Sequence, residues 1–195
     1  MNRILEVKLV QTGFEKDGNI GSPLTPRGYH LDEVISALQK EIRRCKEYEA
    51  VYWALELESF NSTALWNRLK VIASEDVGLA NPMAPVLVNA LESSYLKAKE
   101  KDKGESGLFL VNAVLFLARS PKSRIVDNLL NVVQNAEERL EMPDYAIDKH
   151  TYRGRKMGRG WDHFFDEGAK LANRALEDPF EKRAYEGLMK KQKKT

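Results

Sequence analysis

Residues 68–82 read RLKVIASEDVGLANP, and the order of residue types in this stretch argues for a helical protein. Leu69, Val71 and Ile72 supply the apolar side of a helix, Glu75-Asp76 is an acidic step after it, Gly78 suits a left-handed C-terminal cap, and Asn81-Pro82 makes a turn. An acidic pair after a buried apolar strand would suggest nucleotide hydrolysis. Here a helix precedes the pair, so Glu75 and Asp76 are expected to cap the next turn or to pair with a basic side chain.

The helical reading extends in both directions. Upstream, Leu31, Val34, Ile35, Leu38 and Ile42 recur at helical spacing and predict a first helix ending near Cys45. Residues 48–60 predict a second, carrying Val51, Tyr52, Leu55 and Phe60, and Asn61-Ser62 caps a third with Leu65, Trp66, Leu69 and Ile72 on one face. Downstream, Asn81-Pro82 and Pro85 open a fourth, whose face is Val86, Leu87, Ala90, Leu91 and Leu96 and whose end, residues 97–103, is charged. Residues 107–118 are apolar nearly all round and predict the buried central helix. Ser120-Pro121 stops it, and Ser123 starts a sixth helix with Ile125, Leu129, Leu130, Val132 and Val133 toward the core. After Met142-Pro143 a helix is expected from Gly160 or Trp161, carrying Phe164, Phe165, Leu171 and Leu176, and a last one from Pro179 that frays into Lys190, Lys191, Lys193 and Lys194.

The predicted fold is therefore all-α, with no repeat period of the solenoid kind. Residues 1–28 form an arm: residues 3–10 read as a short strand or an ordered segment, and the glycines and prolines of residues 11–28 read as loop. Residues 29–143 form the helical domain. Residues 144–195 are a basic, glycine-rich loop and C-terminal helices expected to pack on the same domain.

Composition narrows the function classes. The 31 basic and 29 acidic residues nearly cancel, so no global field draws the chain onto nucleic acid and any basic surface must be local. The single Cys45 excludes an internal disulfide framework and fits a reducing cytosol; with no histidine at a matching spacing it is not a nucleophile candidate. The opening MNRILEVKLVQTG is too short and too charged for a signal peptide. No apolar run approaches the roughly 20 residues needed to span a bilayer, so a cytoplasmic protein without a membrane partner is expected.

Four stretches resemble, in order, the C-terminal helical region of the replication-associated recombination protein A family, MgsA-type AAA+ ATPases related to clamp loaders and to the Werner-helicase-interacting protein. Tyr29-His30-Leu31-Asp32 with Ile35-Ser36-Ala37 resembles the family's HYD…ISA helix start, and Ala50-Val51-Tyr52-Trp53-Ala54 its ALYWLA helix. Residues 73–82 resemble its ASEDIGLADP segment, and residues 115–123, LFLARSPKS, its YLALAPKSN turn. The similarity covers residues 28–143. On it, Ser74, Glu75, Asp76, Gly78, Pro82, Pro121, Lys122 and Ser123 are structural motif positions. The resemblance implies a compact helical bundle like the clamp-loader collar, assembled as a tetramer around DNA-handling ATPase domains. It also implies partners among DNA, a replication ATPase and single-stranded-DNA-binding protein, and no cofactor for this module. The family's ATPase module should come first, yet only 27 residues precede Gly28 and no G-x-x-x-x-G-K-[ST] phosphate loop occurs. The expectation is a free-standing, collar-like module without ATP hydrolysis.

One segment has the composition of a ligand site. Residues 149–160 contain Lys149, Arg153, Arg155, Lys156 and Arg159 and no acid, with Gly154, Gly158, Gly160 and Tyr152 interleaved. Glycines let backbone approach a ligand, and arginine forks match phosphate oxygens. The segment also runs into a helix start near Trp161, where free N–H groups favour anions. It reads as a phosphate or nucleic-acid contact, or as an interface loop pairing with acids such as Glu75 and Asp76 or with another subunit. The flanking Asp148, His150, Asp162 and His163 are the acid/base candidates of a rival reading, an enzyme or binding protein for a nucleotide or nucleic-acid phosphate, which requires them to converge in one pocket. Asp166 and Glu167 complete the polar flank, and no recognised ligand spacing predicts a metal. Trp53, Trp66 and Tyr52 read as core rather than as base-stacking platforms, and His30 as a packing or capping residue.

Overall fold

The computed structural model describes residues 21–101 and 104–192. The expected strand at residues 3–10, and Lys193 and Lys194, lie outside the described residues. The fold is all-α; the single β-bridge among the described residues joins Leu24 and His30. The chain divides into two compact units at Ala136–Glu137.

The first unit contains α1 (Leu31–Arg43), α2 (Glu47–Ile72), α3 (Ala84–Glu100), α4 (Ser106–Arg119) and α5 (Ile125–Gln134). Along α1, Val34, Leu38 and Ile42 are buried at i, i+4 and i+8, while Asp32 and Glu33 in its first turn and Lys40 and Arg43 in its last complement the helix dipole. It ends through Cys45, whose φ of 60° reverses the chain. The second and third expected helices run head to tail as α2, bent at Asn61 (φ −157°, ψ 97°), whose Oδ1 accepts from the Ala64 N–H at 2.9 Å. That is the cap expected at Asn61-Ser62, made at the kink where the two helical segments of α2 join.

The core joins Leu57, Leu65, Trp66, Leu69 and Ile72 of α2 to Leu110, Val114 and Leu117 of α4 and to Val88 and Tyr95 of α3. The face of α3 differs from expectation: Ala84, Val88, Leu91, Tyr95 and Ala98 point inward, and Val86, Ala90 and Leu96 are exposed. The reason is the aromatic pair. Tyr95 buries its whole ring 5.2 Å from Trp66 while its hydroxyl donates to Glu58 Oε1 at 2.7 Å, and this sets the rotation of the helix.

A second difference is larger. Ile125, Leu129, Leu130, Val132 and Val133 were expected to face the core, but no residue of α5 is buried. The helix packs on residues 73–80, with Val126 against Gly78, and its apolar residues are exposed.

The second unit holds a 3-10 turn (Asp144–Ala146), α6 (Tyr152–Lys156), α7 (Trp161–His163) passing into a π-turn (Phe164–Gly168), and α8 (Glu181–Gln192). The helix expected to carry Leu171 and Leu176 stops at Gly168, and both leucines are exposed. Its aromatic residues explain the early stop: Trp161, Phe164, Phe165 and Tyr185 pack edge to face. The wide turn that places them ends with the Ala169 N–H donating to Phe164 O at 2.7 Å. No helix among the described residues is long and apolar enough to cross a membrane.

Candidate functional site

The signature stretch is a junction, and its acids form the centre. Residues 73–77 form a π-turn rather than the end of an α-helix, which swings Asp76 inward until its side chain is fully buried. Arg43 Nε donates to Asp76 Oδ1 at 2.6 Å, and Gln39 Nε2 donates to Oδ2 at 2.9 Å. Arg68 in turn donates to Gln39 Oε1 at 3.1 Å. Glu75 takes Arg43 at 3.3 Å and Arg124 at 3.4 Å. The expected basic partner therefore exists, and it comes from the polar row Gln39–Arg43 of α1 and from the residue before α5. Gln39 and Arg43, four apart on a helix, were the signal in the sequence that could have found it.

The same turn seats α5. Asp76 O accepts from the Ser123 N–H at 2.8 Å. Gly78 takes φ 49° with ψ −131°, a positive φ as expected of it but outside the left-handed helical cap region. A Cβ there would lie 3.4 Å from Ser123 O and from Val126, so glycine serves both conformation and close approach. Lys122 closes α4 by donating to the carbonyls of Leu117, Ala118 and Ser120 at 2.6–2.9 Å. The motif positions therefore fix the start of α5, whose Ile125, Val126, Leu129, Leu130, Val132 and Val133 are all at least 40% exposed. Leu79, Met83 and Val86, on the same side of the signature turn in sequence, are exposed as well.

In the second unit the basic segment is a capped turn rather than an open loop. The Gly154 N–H donates to Thr151 Oγ1 at 3.0 Å, and Thr151 Oγ1 donates to Asp148 O at 2.9 Å. Its cations separate into two groups. Arg159, only 13% exposed, donates to Asp144 O and Ile147 O and pairs with Asp144 Oδ1 at 2.5 Å. Arg155 donates to His150 O at 2.8 Å. Lys149 lies 3.6 Å from the Trp161 ring centroid and Lys156 4.7 Å from that of Tyr152. Arg153 is exposed and makes no ion pair among the described residues. With α7 only three residues long, the helix start near Trp161 is no anion site by itself.

Of the acid/base candidates, Asp148 and His150 pair with each other, while neither ring nitrogen of His163 finds a hydrogen-bond partner among the described residues. Asp148 accepts from the His150 N–H at 2.9 Å and lies 3.0 Å from His150 Nδ1, while His163 Nε2 is 3.6 Å from Asp144. Asp162 is exposed. No group of three or more metal-ligating side chains occurs among the described residues.

Hydrogen bonds from His150 hold the Asp148 carboxyl below the usual carboxylate range, and Arg159 does the same for Asp144. Because both are depressed in the folded state, the stabilisation they give is complete above the unfolded carboxylate value, about 4, and is lost as pH falls through the lower folded value. Amide NMR of the Gly154 turn across an acid titration should show it loosening below about pH 4, and Asp148→Asn should flatten that response.

Comparison with known proteins places these features in context. Residues 46–194 match the family model described as MgsA AAA+ ATPase C terminal. Replication-associated recombination protein A of Bacillus subtilis (strain 168) is 33% identical over 166 residues, covering 80% of this chain and 38% of that protein. The protein of the same name from Escherichia coli (strain K12) is 28% identical over 169 residues, 83% of this chain and 36% of that one. ATPase WRNIP1 of Dictyostelium discoideum is 25% identical over 158 residues, 75% of this chain and 18% of that one. The chain thus spans less than two-fifths of the length of these relatives.

Proposed function

Because this chain belongs to the MgsA AAA+ ATPase C-terminal family, we propose that it is a non-catalytic, self-associating helical module linked to DNA replication, repair or recombination. The observation that carries this reading is α5, a ten-residue helix with six apolar side chains exposed and none buried. Each Å² of such surface removed from water contributes about 25 cal/mol, so a row of this size favours burial against another surface. The occupant proposed is a second copy of this chain. A two-fold axis beside α5 would set the same apolar row on both sides, a self-complementary contact. The resemblance to a tetrameric family supports further copies around it.

The non-catalytic part rests on the chemistry within these 195 residues. They contain no phosphate loop, and of the acid/base candidates Asp148 and His150 are paired with each other while Asp162 is exposed, so the nucleotide-processing alternative has less support. The link to replication and recombination is carried over from the names of the relatives; a replication ATPase or single-stranded-DNA-binding protein as partner follows from the family resemblance alone, and a cytoplasmic location is part of the proposal. A DNA contact falls to the basic turn of the second unit, where five cations occur without an acid between residues 149 and 160.

Light scattering coupled to size exclusion, over a concentration series, tests the assembly. The wild type is expected to run as an oligomer, and Leu129→Asp with Val133→Asp to run as a monomer with an unchanged helical circular dichroism spectrum, because neither side chain is in the core. A wild type that stays monomeric at the highest concentration would sink the reading.

A further inference from the structure

The basic turn presents an aromatic side chain that the assembly reading does not use. Tyr152 opens α6 and is 67% exposed. One turn on, Lys156 Nζ sits 4.7 Å from its ring centroid, and Arg153, next to it in sequence, is exposed without an ion pair among the described residues. The support beneath them is fixed. Thr151 caps the helix, while Arg155 and Arg159 bind the carbonyls of His150, Asp144 and Ile147. The segment's arginines therefore do different work: Arg155 and Arg159 build the turn, and Arg153 remains at the surface with Lys156, beside an exposed ring. The acids that precede the turn, Asp144 and Asp148, are paired with Arg159 and His150.

We propose that Tyr152, Arg153 and Lys156 form a subsite for single-stranded nucleic acid, with a base stacked on the Tyr152 ring and the two cations at the phosphates that flank it. This rests on the reading that the basic turn contacts DNA, and it names the class of DNA. A phenol ring accepts any base by its π-face, and cations beside it follow the backbone without reading sequence. In a duplex the base faces are covered by their neighbours, so an exposed ring on a rigid turn gains a stacking partner only where bases are unpaired. A purely electrostatic contact would need the cations alone and would use the exposed Tyr152 ring only to hold Lys156.

The test is fluorescence anisotropy of the whole chain with an oligo-dT of about 15 nucleotides, the same strand with abasic sites at its centre, and a duplex of equal length, across a salt series. The wild type is expected to bind oligo-dT more tightly than either alternative. Tyr152→Ala should weaken oligo-dT binding about tenfold and leave the abasic strand unaffected, whereas Tyr152→Phe keeps the affinity. Arg153→Ala should reduce the salt slope by about 1. Unchanged oligo-dT affinity in Tyr152→Ala, or duplex bound as tightly as the single strand, overturns the subsite and leaves the DNA contact standing. A wild type that binds none of the three overturns both, and the assembly reading then stands or falls on light scattering alone.

Discussion

Asp76→Ala is expected to destabilise the first unit by about 3 kcal/mol and to lower its thermal midpoint by about 10 °C. The carboxylate is fully buried and receives Arg43 Nε at 2.6 Å and Gln39 Nε2 at 2.9 Å. Removing it leaves the Gln39 amide without its acceptor and the Arg43 guanidinium with Glu75 alone, and an unpaired buried donor costs more than the pair itself contributes. Arg43 is 28% exposed, so water reaches part of it and the loss falls at the lower end of the range for buried pairs. Asp76→Asn keeps an acceptor oxygen for one donor and should lose less. Urea melts of Asp76→Ala, Arg43→Ala and the double variant decide the matter. The double should be far less unstable than the sum of the singles, because each single change removes the same interaction. Simple additivity would show that the pair is not coupled and that the burial of Asp76 has another cause.

Gly154→Ala should have an effect of similar size, confined to the second unit. A Cβ at this position would stand 1.8 Å from Asp148 O, 2.4 Å from its carbonyl carbon and 2.9 Å from Thr151 Oγ1. Two of these are backbone atoms, which cannot rotate aside. The turn must open, breaking the Thr151 cap and the Thr151–Asp148 hydrogen bond together. Overpacking of a well-filled site costs about 1–3 kcal/mol, and a collision with backbone belongs at the top of that range. Hydrogen exchange should show lost protection through residues 148–159 with the first unit unchanged. The nucleic-acid affinity should fall in parallel, since Tyr152, Arg153 and Lys156 are carried by that turn. A variant with native protection there would mean that the turn has room to adjust that its packing does not show.

Most of the first unit was legible in the sequence because its signals are local. The apolar spacing of α1, the cap at Asn61, the prolines before α3 and the apolar run of α4 each act within a few residues, and the structure repeats them almost position by position. Resemblance of four ordered motifs led to the family that the comparisons then showed. In α3 the apolar spacing suggested the face of Val86, Ala90 and Leu96, and Tyr95 turned the helix to an adjacent one by pairing with Trp66 from a different helix. The second unit was harder to read, since a short aromatic-rich stretch is satisfied equally by one long helix or by a turn that packs its rings together.

The candidate sites divide along the same line. Five cations without an acid between residues 149 and 160 were visible in the chain, but composition gives every arginine the same standing. Only the folded turn separates Arg159, held by three acceptors on Asp144 and Ile147, from Arg153 at the surface.

By itself, then, the sequence determined the all-α class, the helix order of the first unit and the family, since helix periodicity, caps and breakers are properties of neighbouring residues. Only the tertiary structure decided that the apolar residues of α5 are exposed, that Asp76 is buried on Arg43, and that Tyr152 is open with Lys156 against its ring. Those outcomes depend on what distant segments place against a helix, and an amphipathic pattern reads the same whether its apolar side meets the chain's own core or is left for a partner.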